Sequence, residues 1–383
     1  MTSLSVPTGV TDPINQQILA VSEDRVHGFA AEPFARIAEM TGLDQAVIIE
    51  RIRAMLQAGT IRRVRQTLMT TSLAPGALVA WQVPAARLNR AFDWLFENDP
   101  FTGHVVIRTT DERAAGAQYR LWTTLKVPVG FSMQRHVELL LDRIGGEDVR
   151  LMPAKKVFAL GVGHIRRRGL EPGARAEQPG KVRDATPVQL DPEQWRVLLA
   201  LKRELSVDEI AEQPWRGRAE EAGMNYDRFI EIAEGLERAN VIGRFSTFLE
   251  HVKKLADGAQ VTRYNALFHW AVPSGREIDA GCEVGRHLIM THAYWRQTGP
   301  QFNHVNIMGV AHGEDRDLLL AHKEAIDRHL EEAGIAVRYT NVFWGGRSEI
   351  KPSEIDPRRY AEWLTQQGID PASMRDGEVP VEL

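Results

Sequence analysis

Cysteine is almost missing from this sequence, with Cys282 the single one in 383 residues. That excludes an intrachain disulfide and a cysteine-built metal cluster within one chain, and it fits a reducing compartment. Also missing is any run of about 18 apolar residues, the length at which a membrane-spanning helix is expected. The opening MTSLSVPTGVTDPINQQ has neither the basic start nor the apolar stretch of a secretion signal. A cytoplasmic protein that makes no membrane contact is the expectation. A basic excess is lacking as well. The formal net charge is -4, which argues against a protein devoted to neutralising phosphates. What remains, 43% hydrophobic and 26% charged residues, is ordinary globular composition, long enough for two or more cores.

Periodic pattern breaks once, at GHIRRRGLEPGARAEQPGKVRDATP, residues 163–187, where Gly, Pro and Arg point to a linker. The same order of elements stands on either side of it. EPFARIAEMTGL and DQAVIIERIRAMLQAG have helical spacing and lead into the basic strand IRRVR. LSVDEIAE and NYDRFIEIAEGLERANVIGRF repeat the arrangement. Each reads as a winged helix-turn-helix. Next, ALVAWQVP and ALFHWAVP are strands ending in Trp-x-Val-Pro, followed by helical periodicity. GHVVIRTT and THAYWRQT then each carry His-x-x-x-Arg, pairing His104 with Arg108 and His292 with Arg296. A third strand, an amphipathic helix and a closing strand complete β-α-β-β-α-β, the ferredoxin-like order. The fold class expected is α+β, a tandem repeat of winged helix-turn-helix plus ferredoxin-like modules. Their bounds are 10–72, 73–165, a linker at 166–188, 189–260 and 261–347, with a tail at 348–383 that holds a short helix around RRYAEWLTQQ.

Strand alternation puts His292, Tyr294 and Arg296 on one face and Thr291, Ala293 and Trp295 on the other. Such a polar row suits water, a partner chain or a ligand. The helix-turn-helix units are poor DNA readers. The second recognition helix offers Asp227, Glu231, Glu234 and Glu237, which repel phosphate; the first, with Arg51, Arg53, Arg62, Arg63 and Arg65, is the better candidate.

These motifs carry a resemblance. Helix-turn-helix plus ferredoxin-like is the plan of Lrp/AsnC regulators, and the details are more similar to the siroheme decarboxylases of haem d1 and alternative haem biosynthesis. His104, Arg108 and Tyr119-Arg120-Leu121-Trp122 resemble one subunit type of that family. His251 in LEHVKK, His292-Ala293-Tyr294-Trp295-Arg296 and Met308-Gly309-Val310-Ala311-His312-Gly313 resemble the other. Both types stand fused in one chain. Three departures are plain: Glu250-His251-Val252-Lys253-Lys254 lacks flanking arginines, EQPWRGRAEEAG is an insertion, and Val105 and Val106 stand where the family tends to be more polar.

The resemblance implies removal of carbon dioxide from acetate side chains of siroheme, giving 12,18-didecarboxysiroheme. His251 and His292 would be the proton donors, a duty suited to imidazole with its pKa of about 6.5. Arg296, Arg244, Lys253, Lys254 and Arg108 would hold carboxylates, arginine through its planar fork, with His104 and Tyr294 alongside. Trp295, Phe268, Trp270 and Met308 would line the macrocycle, although on strands such residues are ordinarily core. No resident cofactor or protein-bound metal is needed. Iron arrives with the substrate, and His251 or His292 as its axial ligand is a variant. The competing reading is a haem- or tetrapyrrole-binding Lrp/AsnC-like regulator without turnover; a third is an amino-acid-sensing DNA-binding regulator. The two halves are expected to pair as an internal pseudo-dimer, with homodimerisation open. The first-half site has no second histidine like His251 and reads as supporting. His269, His287, His304 and His312 read as core or surface histidines, and Cys282 as an inert thiol.

Overall fold

A computed structural model describes residues 6–69, 73–161, 163–180, 182, 188–250, 255, 258 and 261–376. Helix α1, Pro13–Ser22, begins where the Asp12 carboxylate accepts the amides of Ile14 and Asn15 and Pro13 takes the first turn. After β1, Val26–His27, come α2, Pro33–Thr41, α3, Gln45–Gln57, capped by Asp44, and β2, Ile61–Leu68. Gly42 ends α2 at a φ of 73°, where a side chain would be strained.

The second segment runs β3 Gly76–Gln82, α4 Leu88–Asn98, β4 Thr102–Thr109, β5 Leu121–Lys126, α5 Met133–Ile144 and β6 Asp148–Leu160. Then follow α6, Pro192–Lys202, opened by a reciprocal Asp191 and Gln194 capping box, α7, Arg216–Glu221, α8, Tyr226–Arg238, and β7, Ile242–Leu249. LSVDEIAE forms turns and no regular helix. There Glu209 accepts the Ser206 amide at 2.8 Å, a local bond that competes with helix. The inserted EQPWRGRAEEAG is part of the core, with Trp215 fully buried and its indole N–H donating to the Ala30 carbonyl at 2.9 Å. The last segment is β8 Tyr264–Ala271, α9 Glu277–Arg286, β9 Met290–Arg296, β10 Ile307–Gly313, α10 Arg316–Glu332, β11 Tyr339–Ile350 and α11 Pro357–Gln366. Among the described residues no helix is long and apolar enough to cross a membrane.

The chain forms two compact units, and each draws on both halves of the sequence. The first comprises Met1–Met69, Gly161–Gly169 and Val188–Arg263. Its three-stranded sheet has the order β1-β7-β2, and β2 pairs antiparallel with β7 from Ile61 opposite Leu249 to Leu68 opposite Ile242. The two helix-turn-helix segments therefore share one sheet. Part of the expected linker is fastened here: Asp24 accepts the Gly163 amide at 2.8 Å and pairs with Arg166 at 2.9 Å and Arg167 at 3.3 Å. Beside it Glu23 is buried, and loss of water pushes its carboxyl up to about 8.

The second unit comprises Thr70–Leu160, Leu170–Pro187 and Tyr264–Leu383. Its eight strands close into a barrel in the order β10-β8-β11-β4-β5-β3-β6-β9. Closure depends on two long strands. The start of β6 pairs with β3 and its end with β9 of the other half, Ala154 opposite Arg296 and Leu160 opposite His292. Likewise β11 pairs first with β8 and then with β4, reaching Ile350 opposite His104. Each four-stranded half would otherwise expose two edges, and mutual pairing removes all four. Residues 174–180 of the expected linker are fastened in this unit, with the Ala176 amide on the Arg286 carbonyl at 2.9 Å and the Gly180 amide on the Cys282 carbonyl at 3.1 Å. Helix α11 covers the first half, where Tyr360, Trp363 and Leu364 join the core around Phe101 and Phe131.

Candidate functional site

Alternation along the barrel strands sorts side chains into three cores. Val105, Leu121 and Leu125 pack outward with α4 and α5. Phe268, Trp270, Ala293 and Ile307 pack outward with α9 and α10. The third core takes residues from both halves: Ala80, Val106, Trp122, Met152, Leu267, Met308 and Phe343. It fills the inside of the barrel.

Positions two apart from these residues share the inner face, so Arg108, Asn265, His269, His312, His292, Tyr294 and Arg296 belong to it. Arg108 on β4 lies opposite Gly345 on β11, where no side chain blocks it; a Cβ at 345 would sit 3.1 Å from that of Asn265. Across this gap the Arg108 guanidinium donates to Asn265 Oδ1 at 2.9 Å. Asn265 Nδ2 meets His312 Nε2 at 2.9 Å, and His312 Nδ1 lies 3.4 Å from Thr291 Oγ1. His292 Nδ1 reaches the same hydroxyl at 3.1 Å. This polar row crosses from the first half of the barrel to the second.

Tyr294 stacks on His292 with ring centres 6.1 Å apart and planes 14° from parallel. Arg296 lies over the Tyr294 ring at 4.5 Å and donates to the Met152 carbonyl at 2.7 Å. Arg108 and Arg296 are both buried, 4% and 7% exposed. Among the described residues neither has a carboxylate partner, and Arg108 Nε has no hydrogen-bond partner. Desolvation brings both guanidiniums down to about 10. Two buried, uncompensated cations are costly unless an anion joins them.

His104 sits further along β4, bonded through Nε2 to Ser348 Oγ at 2.8 Å. Met308 is buried on the inner face. Trp295 is not brought to that face: it packs with Phe268 and Trp270 under α9 and α10, with Lys155 Nζ 5.2 Å above its ring. The reason is the pleat itself, which sends neighbours of Tyr294 and Arg296 outward. Arg244 is on β7 of the other unit, where its amide donates to Thr67 Oγ1 at 2.8 Å. His251, Lys253 and Lys254 lie outside the described residues. Cys282 is half-buried on α9, and burial raises its thiol pKa.

His269 is fully buried with neither ring nitrogen hydrogen-bonded among the described residues. Aromatic neighbours enclose it, Phe343 at 4.9 Å and Trp122 at 6.0 Å. Burial, aided by Arg108, takes its pKa down to about 3, so the ring is neutral. Sequence reading passed over Asn265 and Thr291 as site residues. For Asn265 the available signal was alternation, since it shares a face with Leu267, His269 and Ala271. For Thr291 alternation pointed to the other face, and it lies where the pairing of β9 with β10 shifts register, with its hydroxyl on His292 and His312.

Known proteins match this chain in three ways. Residues 29–62 match the model of the siroheme decarboxylase NirDL-like HTH domain. The siroheme decarboxylase of Hydrogenobacter thermophilus is 25% identical over 303 residues, 78% of this chain and 83% of that protein. Crystal structures of the siroheme decarboxylase NirDL, one of them in co-complex with an iron-uroporphyrin III analogue, align with a TM-score of 0.63 at 19% identity, covering 92% of this chain and 98% of theirs. That structural likeness shows the fold. Together with the sequence match over most of both chains, it makes this chain similar to the siroheme decarboxylases in sequence and in fold.

Proposed function

We propose that the protein is a carbon-carbon lyase that removes carbon dioxide from acetate side chains of siroheme, yielding 12,18-didecarboxysiroheme on a route to haem d1 or haem. The observation that carries this reading is the pair of buried guanidiniums without carboxylate partners among the described residues, Arg296 over the Tyr294 ring and Arg108 joined to His292 through Asn265, His312 and Thr291. A polyacidic tetrapyrrole supplies the missing anions. A forked guanidinium can bind each carboxylate in two places, which selects the side chain that reacts. In the reaction the bond from the acetate methylene to its carboxyl carbon breaks, carbon dioxide leaves, and the electron pair passes into the conjugated macrocycle. One proton then converts that methylene to a methyl group. His292, with His251, is assigned to deliver it. Arg244, Lys253 and Lys254 are assigned to the remaining carboxylates, His104 to support in the first half, and Met308 to apolar contact. Either histidine can also serve as the axial ligand of the iron that the substrate brings.

Each half of the barrel reads as a ferredoxin-like unit, strand order 2-3-1-4 in both, and the two as an internal pseudo-dimer of fused subunit types. The modules at 10–72, 73–165, 189–260 and 261–347, a cytoplasmic location and the absence of any need for a resident cofactor belong to the same reading. Anaerobic incubation with siroheme tests it: two successive losses of about 44 mass units, carbon dioxide each time, are expected. Binding seen by absorbance without mass loss would support instead the regulator that binds a tetrapyrrole and leaves it unchanged.

A further inference from the structure

Every hydrogen bond in the polar row of the barrel has a direction, and the directions agree from both ends. Arginine only donates. Because Arg108 Nη1 is bonded to the Asn265 side chain at 2.9 Å, the amide must turn its oxygen toward Arg108 and its NH2 toward His312. His312 Nε2, 2.9 Å from that NH2, is then an acceptor, so the His312 ring is neutral and its proton is on Nδ1. At the other end a carbonyl only accepts. Thr291 Oγ1 donates its single proton to the Val310 carbonyl at 2.9 Å. Its lone pairs are left to receive His312 Nδ1–H at 3.4 Å and His292 Nδ1–H at 3.1 Å. A hydroxyl has one donor and two acceptor sites, and all three are used.

We infer that Arg108 and the Val310 carbonyl, acting through Asn265, His312 and Thr291, lock His292 with a proton on Nδ1, leaving Nε2 as the nitrogen that exchanges a proton with substrate. The role in turnover rests on the decarboxylase reading; the tautomer itself does not. Asn265, His312 and Thr291 are positioning residues, which act on the substrate through His292. Arg108 gives the first half a task in the second half's site, and Gly345 is required because a side chain there would press on Asn265.

The test has two arms. Selective ¹⁵N-histidine labelling of the ligand-free protein, with His292 and His312 assigned by their Gln variants, reports which ring nitrogen carries the proton. Both rings are expected as the Nδ1–H form. Asn265→Asp can only accept from His312, so it should move the His312 proton to Nε2. A wild-type His312 protonated on Nε2, or one unmoved by Asn265→Asp, overturns the relay whatever the protein's substrate. In the second arm Thr291→Val, which keeps the strand-favouring shape and removes the acceptor, should lower kcat for siroheme roughly tenfold with KM held, and Thr291→Ser should restore it. Correct tautomers with kcat untouched by Thr291→Val would overturn the positioning role while leaving the decarboxylase assignment intact.

Discussion

Arg296→Met separates what the buried cation does for the fold from what it does for a ligand. Burial lowers the guanidinium from its ordinary 12.5 to about 10, a cost on the charged folded form of about 3 kcal/mol. Methionine removes that cost and fills similar space. Against this, the Met152 carbonyl, which accepts from Arg296 at 2.7 Å, is left unpaired, costing about 1–3 kcal/mol. The contact with the Tyr294 ring at 4.5 Å is lost as well, about 1 kcal/mol. These nearly cancel, so the urea midpoint should move by an amount equivalent to about 1 kcal/mol or less. Binding has no such compensation. Charge-assisted hydrogen bonds to a substrate carboxylate are worth about 1.5–3 kcal/mol, so Kd for siroheme in an anaerobic absorbance titration should rise by roughly 10- to 150-fold. Arg296→Lys keeps the charge but not the fork and should fall between. A large loss of stability with unchanged affinity would refute the reasoning, since Arg296 would then be structural.

Other outcomes follow from the first unit and the barrel wall. Glu23 has a folded pKa raised by burial to about 8 from 4.5, so the folded state holds more protons between those values and stability should fall as pH rises from 5 to 9. Glu23→Gln should flatten that dependence in urea titrations at the two pH values. Arg218 is buried, pairs with Glu209 and donates to the carbonyls of Ala200 at 2.6 Å and Glu204 at 2.7 Å. Arg218→Ala should cost about 3–5 kcal/mol by denaturant unfolding. In the intact pair burial raises the Glu209 carboxyl, but the hydrogen bonds from Arg218 and Ser206 together with the Arg218 charge outweigh it and hold the group near 2. Its contribution is present above pH 4.5 and is lost as pH falls through about 2. A Cβ at Gly281 on α9 would lie 2.0 Å from the Phe158 ring, so Gly281→Ala should destabilise the fold by about 1–3 kcal/mol, seen as a lower thermal midpoint, with part recovered in the double variant carrying Phe158→Leu.

Much of this was legible along the chain because it depends on neighbours in sequence. Capping residues such as Asp12, Asp44, Asn225 and Asp315 mark helix starts, and period-two alternation set His292, Tyr294 and Arg296 together on one side of β9. LSVDEIAE misled where side-chain to backbone bonds won over helix, while Trp295, which alternation sets on the face opposite Tyr294, packs outward with Phe268 and Trp270. Partnership at a distance left no local mark. That β2 would pair with β7, that β6 and β11 would reach across to close a barrel, and that Arg108 would meet Asn265 over Gly345 all depend on residues more than a hundred positions apart. Alternation decides which way a side chain points, and only the closed sheet decides what it finds there.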